Sequence, residues 1–287
     1  MSKTVIHTHA STEAGILANA YLVETENGVI AVDGTLIRSE ARALRAKIDA
    51  LHKPLLAVLV THAHPDHTAG ITELVQSDSS IPVIALPSID RVMRATEEAK
   101  HAQWAPIFQD EWIRQWTFPN RFVQNLEEVE LDGIHFQVHD IGPGGDCDAN
   151  SVWVMTSENS KAAFVGDLVF SGTHCYLADG SIRAWLLNID NAEQYLDNVS
   201  EIYAGHGPAG GHELLAKQRD YLLTYCANVK ELAQGNSQLS EEAKQELVTR
   251  MDRYLPNASL QFMISLSSDA VAAELALAGD FLSHSQK

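Results

Sequence analysis

Thr61-His62-Ala63-His64-Pro65-Asp66-His67 places three imidazoles and one carboxylate within six consecutive residues. Zinc favours this mixture of imidazole nitrogen and carboxylate oxygen, whereas ordinary turns are built from Gly, Asn and Ser. The run before it, Leu55 to Val60, is short, apolar and rich in branched side chains, and reads as a buried strand. Thr68 to Gln76 reads as the start of a helix. The ligand-rich segment therefore sits at the carboxyl end of a strand, where open α/β sheets carry their sites.

Upstream, Val5 to Thr8, Tyr21 to Thr25 and Val29 to Asp33 read as strands, the last two joined by a Glu26-Asn27-Gly28 turn. Asp33 closes its strand and reads as a turn residue or a support for a ligand rather than a ligand. Leu44, Ile48 and Leu51 have helical spacing, which predicts an amphipathic helix over 39–51 with Ser39 near its N-cap. Downstream, Pro82 to Ala85 reads as a strand and Ser88 to Lys100 as a helix. The segment from His101 to Phe122 then concentrates Trp104, Trp112, Trp116, Phe108, Phe118 and Phe122. It reads equally well as an aromatic wall beside the site and as plain packing or a homodimer contact. His101 within it reads as a surface residue.

Val129 to Leu131 and Ile134 to Ile141 form a hairpin across Asp132-Gly133, with Ile134, Phe136 and Val138 on one face and His135, Gln137 and His139 on a polar face. Ser151 to Met155 and Lys161 to Val165 are further strands. After Gly211 the chain reads as three helices: Leu214 to Leu232, a second opening at Ser240 and running through Leu247, Met251 and Leu255, and a third over 268–282.

His62-x-His64-x-Asp66-His67 resembles the signature of the metallo-β-lactamase superfamily. The resemblance implies an α/β fold, an αββα sandwich over residues 1–210 with a helical C-terminal extension over 211–287 packed on it, and one or two metal ions at one edge. It implies His62 and His64 on a first metal, Asp66 and His67 on a second. A third histidine for the first metal belongs in a Gly-rich turn, and the matching turn, Ile141-Gly142-Pro143-Gly144-Gly145-Asp146-Cys147-Asp148-Ala149-Asn150-Ser151, contains none. Aligning its two ends puts Asp146 nearest that place, with Cys147 and Asp148 as adjacent alternatives. Asp167, after a strand and Gly166, matches the bridging aspartate; His206, in Ala204-Gly205-His206-Gly207, matches the last ligand of the second metal. His174 follows Asp167 closely enough to be a substrate contact, and His212 is a weaker candidate of the same kind.

The chain has 287 residues and a formal net charge of −18, with no basic run. That opposes nucleic acid as a partner, because binding a polyanion draws on clustered Lys and Arg. No stretch approaches the roughly 18 apolar residues of a membrane helix. The odd, widely spaced Cys147, Cys175 and Cys226, with no signal-like apolar run after Met1, fit a cytoplasmic protein. The resemblance implies a zinc-dependent hydrolase, with iron or manganese as alternative metals, in which metal-bound hydroxide attacks the carbonyl of a small ester, lactone or thioester and Asp66 also handles the proton. A β-lactamase, an iron-dependent thiol dioxygenase and a non-catalytic metal-binding protein are the competing readings.

Overall fold

The computed structural model describes residues 4–158 and 160–278. The first half runs β1 (Val5–Ala10), β2 (Asn19–Glu24), β3 (Val29–Val32), α1 (Arg38–Ala50), β4 (Leu55–Leu59), α2 (Pro65–Thr68), α3 (Ile71–Val75), β5 (Val83–Ala85), α4 (Pro87–Phe108) and β6 (Arg121–Phe122). The second runs β7 (Glu128–Leu131), β8 (Ile134–Gly142), β9 (Asn150–Thr156), β10 (Lys161–Phe170), α5 (Ile182–Tyr195) and β11 (Glu201–His206). It ends with α6 (Glu213–Ala233), α7 (Glu241–Tyr254) and α8 (Phe262–Ala278).

The strands form two sheets, ordered β1-β2-β3-β4-β5-β6 and β11-β10-β9-β8-β7. Strand alternation explains how they stack. In β9, Trp153 and Met155 join the core between the sheets, while Val152 and Val154 join a second core on the outer face. Every residue of β9 but the last is buried, as expected for a strand covered on both sides. Leu44 and Ile48 of α1 and Ile89 and Met93 of α4 cover the first sheet. Trp185 and Ile189 of α5, with Leu222 and Tyr225 of α6, cover the second. The result is the αββα sandwich with C-terminal helices.

Several expectations change in detail. Helix α1 begins at Arg38, and the Ser39 amide donates to the Glu111 carboxylate at 2.8 Å, so a distant acid rather than Ser39 itself caps that end. The helix expected after the histidine loop is two short pieces, α2 and α3. His139 is buried and stacks on Tyr195 of α5 at 4.2 Å, so it does not lie on a solvated face. Helix α5 itself was not foreseen, although Trp185, Leu186, Ile189 and Ala192 have helical spacing and Ser181 caps it by accepting from the Ala184 amide. The third C-terminal helix starts earlier, at Phe262; its expected end at Leu282 lies outside the described residues. Among the described residues, no helix is long and apolar enough to cross a membrane.

Candidate metal centre

Two strand ends and three loops meet at one edge of the sandwich. The loop after β4 is fastened to the other sheet: the Ser151 amide donates to the Thr61 carbonyl at 2.6 Å, and the Trp153 indole donates to the Val60 carbonyl at 3.0 Å. Pro65 opens α2, where its missing N–H costs nothing. That single turn sets Asp66 and His67 beside His62 and His64. Asp33 ends β3 in the left-handed region (φ 62°), a conformation that Asp tolerates better than most residues. Its carboxylate accepts from the Thr61 amide and hydroxyl and reaches His67 Nδ1 at 3.0 Å. Asp33 thus orients His67, as its position at a strand end suggested.

Asp167 sits within β10 and faces His206 at the end of β11. The two strands run parallel with a register break past Gly166. Glycine is needed on both strands here. A Cβ at Gly205 would overlap the Asp167 carboxylate, and one at Gly166 (φ 51°) would lie 2.6 Å from the Thr61 hydroxyl. The His206 ring stacks flat on Phe170 at 4.7 Å.

The outcome is three groups of potential ligand atoms: His62, His64, Asp146 and Asp167; Asp66, His67, Asp167 and His206; and Asp33, His62 and His67; the two four-residue groups share Asp167. All of these residues are buried. His64 Nδ1 lies 2.9 Å from Asp146, His67 Nε2 lies 3.3 Å from Asp167, and His206 Nε2 lies 3.3 Å from both Asp66 and Asp167. His62 Nε2, His67 Nε2, Asp146 Oδ1 and Asp167 Oδ1 are buried with no hydrogen-bond partner. Buried polar atoms left without partners are costly, and a cation between them satisfies them together. The donor set of imidazole and carboxylate suits zinc or another divalent transition metal.

The family model of the metallo-beta-lactamase superfamily matches residues 15–206, more than half of the chain. The chain belongs to the metallo-beta-lactamase superfamily. With it comes the class of metallo-hydrolases. Among curated proteins, the chain is 42% identical over 59 residues to the uncharacterised protein YobT of Bacillus subtilis (strain 168), a stretch covering 21% of this chain and 25% of that protein. It is 21% identical over 206 residues to the metallo-beta-lactamase type 2 of Bacillus sp. (strain 170), covering 71% of this chain and 72% of that one. Among solved structures, the metallo-beta-lactamase from Pontibacter korlensis superposes with a TM-score of 0.59 at 23% identity, over 77% of this chain and 95% of that one.

Where the superfamily motif has its third histidine, the structure turns Asp146 toward His62 and His64, while Cys147 packs into the core and Asp148 is exposed. The turn is stapled from two sides. The Asn150 amide donates to the carbonyls of Gly142 and Cys147, and the Asn188 amide of α5 donates to those of Ile141 and Gly144. Burial, with the Asp167 charge, pushes the Asp146 carboxyl up to about 7, against the pull of His64. Burial works against a charged His206, yet the Asp167 and Asp66 carboxylates raise it to about 9. His62 goes the other way: burial and the neighbouring His67 hold it well below the ordinary histidine value.

Two residues near the site were not foreseen. Asp179 lies 3.3 Å from His64 Nε2 and 3.0 Å from the Lys100 ammonium, so it holds the ring with Nδ1 turned to Asp146. Tyr176 lines the cavity, its ring centre 5.6 Å from that of His64. Neither falls at a motif spacing; only their closeness to Asp167 and His174 in the chain pointed to that loop. His174, the expected substrate contact, is fully buried, pairs through Nδ1 with the Tyr221 hydroxyl at 3.0 Å and does not line the cavity, whereas Tyr176 does. His212 approaches the Val199 carbonyl at 3.2 Å, away from the ligand groups. His101 is not a plain surface residue: its Nδ1 accepts from the Trp112 indole at 2.8 Å. The aromatic segment divides between its two readings. Trp112 and Trp116 pack in a satellite core, and Trp104 lines the cavity.

Proposed function

We propose that the chain is a hydrolase of small esters, lactones or thioesters, holding one or two zinc ions. His62, His64 and Asp146 would hold the first, Asp66, His67 and His206 the second, with Asp167 between them. The observation that carries this reading is the pair of buried four-residue groups sharing Asp167, with several of their atoms unpartnered, at the bottom of an open cavity. A divalent metal there supplies Lewis acidity toward a carbonyl oxygen and acidifies water. The chain's own residues do the rest. Asp33 and Asp179 fix the rings of His67 and His64. Asp66 is the carboxylate on α2 that lines the cavity, placed to take a proton from attacking water and deliver it to a leaving group. Cys147, Cys175 and Cys226 are free and buried, which supports a cytoplasmic, reducing setting.

The test is metal content together with a hydrolysis panel of ester, lactone, thioester and β-lactam. We expect zinc in the isolated protein, turnover of an oxygen or sulfur ester, and loss of turnover on chelation with recovery on zinc addition. Full activity in demonstrably metal-free protein overturns the reading. Retained metal with no turnover across the panel favours a binding protein. Iron with thiol-dependent oxygen uptake favours the dioxygenase. The names of the relatives support keeping the β-lactam in the panel.

A further inference from the structure

The ligand side chains account for only part of the cavity lining. Ile16, Leu36, Trp104, Phe262, Met263 and Leu266, which come from four separate parts of the chain, account for much of the rest. Three of them belong to α8. Met263 is buried, but Phe262 and Leu266 are 51% and 48% exposed and lie four residues apart, on one face of that helix. Large apolar side chains left half in water beside a polar cluster gain free energy only when something apolar covers them. The cavity holds about 510 Å³ of space, part of it open to solvent.

Charge decides what kind of apolar group fits. Among the described lining residues, Lys100 is the single Lys or Arg, and its ammonium is 3.0 Å from Asp179. Asp66, Asp146 and Asp167 line the same cavity, and the chain as a whole carries a formal charge of −18. Against these six apolar side chains an anionic group finds no cation among the described lining residues that is not already paired, whereas an uncharged chain meets carbon.

We propose that this wall is an acyl-chain subsite: the substrate is an ester or thioester whose acyl part is an uncharged aliphatic chain, seated between Trp104 and the first turns of α8. The substrate class rests on the hydrolase reading above; the binding preference does not. The helical extension is on this account part of the substrate site.

Two measurements test it, one without turnover. Binding of uncharged aliphatic amides, from acetamide to octanamide, is followed by tryptophan fluorescence in the full-length protein, with Trp104→Phe identifying the reporting ring. Affinity should rise about fourfold for each methylene that becomes buried. Leu266→Ser, at a half-exposed position, should reduce the octanamide-to-acetamide preference at least tenfold. In parallel, kcat/KM is measured for acetyl, butyryl, hexanoyl and octanoyl esters of one leaving group, where the same rise is expected. If no ester is turned over but the amides show the chain-length dependence, the ester substrate class fails and the subsite stands. If esters are turned over with no dependence on chain length, or Leu266→Ser leaves the octanamide preference intact, the subsite is refuted. Tighter binding of octanoate than of octanamide in metal-free protein would also refute it, because it would show that charge rather than carbon is recognised.

Discussion

An aspartate side chain is shorter than a histidine's, and the turn that carries Asp146 is folded tightly on itself: a Cβ at Gly145 would lie 2.9 Å from the Asn150 side chain. A carboxylate here gives the first group two imidazoles and one acid besides Asp167, a set that binds catalytic zinc but carries more negative charge than three histidines. The extra charge would make an ion held there a weaker Lewis acid. We therefore expect Asp146→Ala to empty the first group while the Asp66, His67 and His206 group stays filled, halving the metal content of a fully loaded protein. Metal analysis after dialysis reads this directly, and an unchanged metal content would show that Asp146 is not a ligand. Most of the ligand group was legible in the sequence because four members fall within six residues and two each follow a glycine after an apolar run. Asp146 could be narrowed only to three neighbours, since spacing does not report which of Asp146, Cys147 and Asp148 faces inward. Asp179 could not be found at all: its contact with His64 is made across the fold, with no spacing to mark it.

Among the elements, β8 and α5 show how a sequence pattern can be right in period and wrong in surroundings. Ile134, Phe136 and Val138 do alternate into the core, and His135 stays at the surface beside Glu128. His139 shares the face of His135 but meets Tyr195 of α5, which covers it. Burial, helped by Lys161, holds the His139 imidazole below its ordinary value. A histidine with a depressed folded value contributes stability that is complete above the unfolded value of about 6.5 and is lost as the pH falls from there through the lower folded value. Phenylalanine keeps a ring against Tyr195 and has no proton to gain. The stability of His139→Phe relative to the parent should therefore improve between about pH 7.5 and about pH 5.5. Urea unfolding of the two proteins at both pH values provides the comparison. Taking the difference removes the common contribution of the ligand histidines. A difference that does not move with pH would mean that His139 titrates as it does in the unfolded chain.

At the scale of the whole molecule, the sheet-on-sheet order was legible through the motif and the strand–helix sequence, but the reach of the C-terminal helices was not. Nothing in the spacing of Phe262, Met263 and Leu266 ties them to His64, nearly two hundred positions earlier; only the path of α6, α7 and α8 across the second sheet does. That path leaves no apolar seam between sandwich and helices. Val152, Val154, Ala163 and Val165 on the outer face of the second sheet belong to one core with Leu215, Leu222 and Tyr225 of α6, Leu247 and Met251 of α7, and Ile264 and Val271 of α8. The Tyr221 hydroxyl of α6 pairs with His174 Nδ1, Gln218 of α6 accepts from the Phe170 amide at the end of β10, and Ser267 of α8 accepts from the Leu177 amide. A shared core of this kind unfolds as a unit, whereas an appended helical bundle would unfold by itself. Leu222 is fully buried in the middle of α6, so Leu222→Ala deletes core volume without touching the ligands or the cavity wall. We expect it to cost about 2–5 kcal/mol and to lower the midpoint of a single transition, seen alike by far-ultraviolet circular dichroism and by tryptophan fluorescence from the sandwich. If the far-ultraviolet signal of the helices fell first while the tryptophan signal kept the parent midpoint, the C-terminal helices would be an independent folding unit, and α8 could not serve as a fixed wall of the metal cavity.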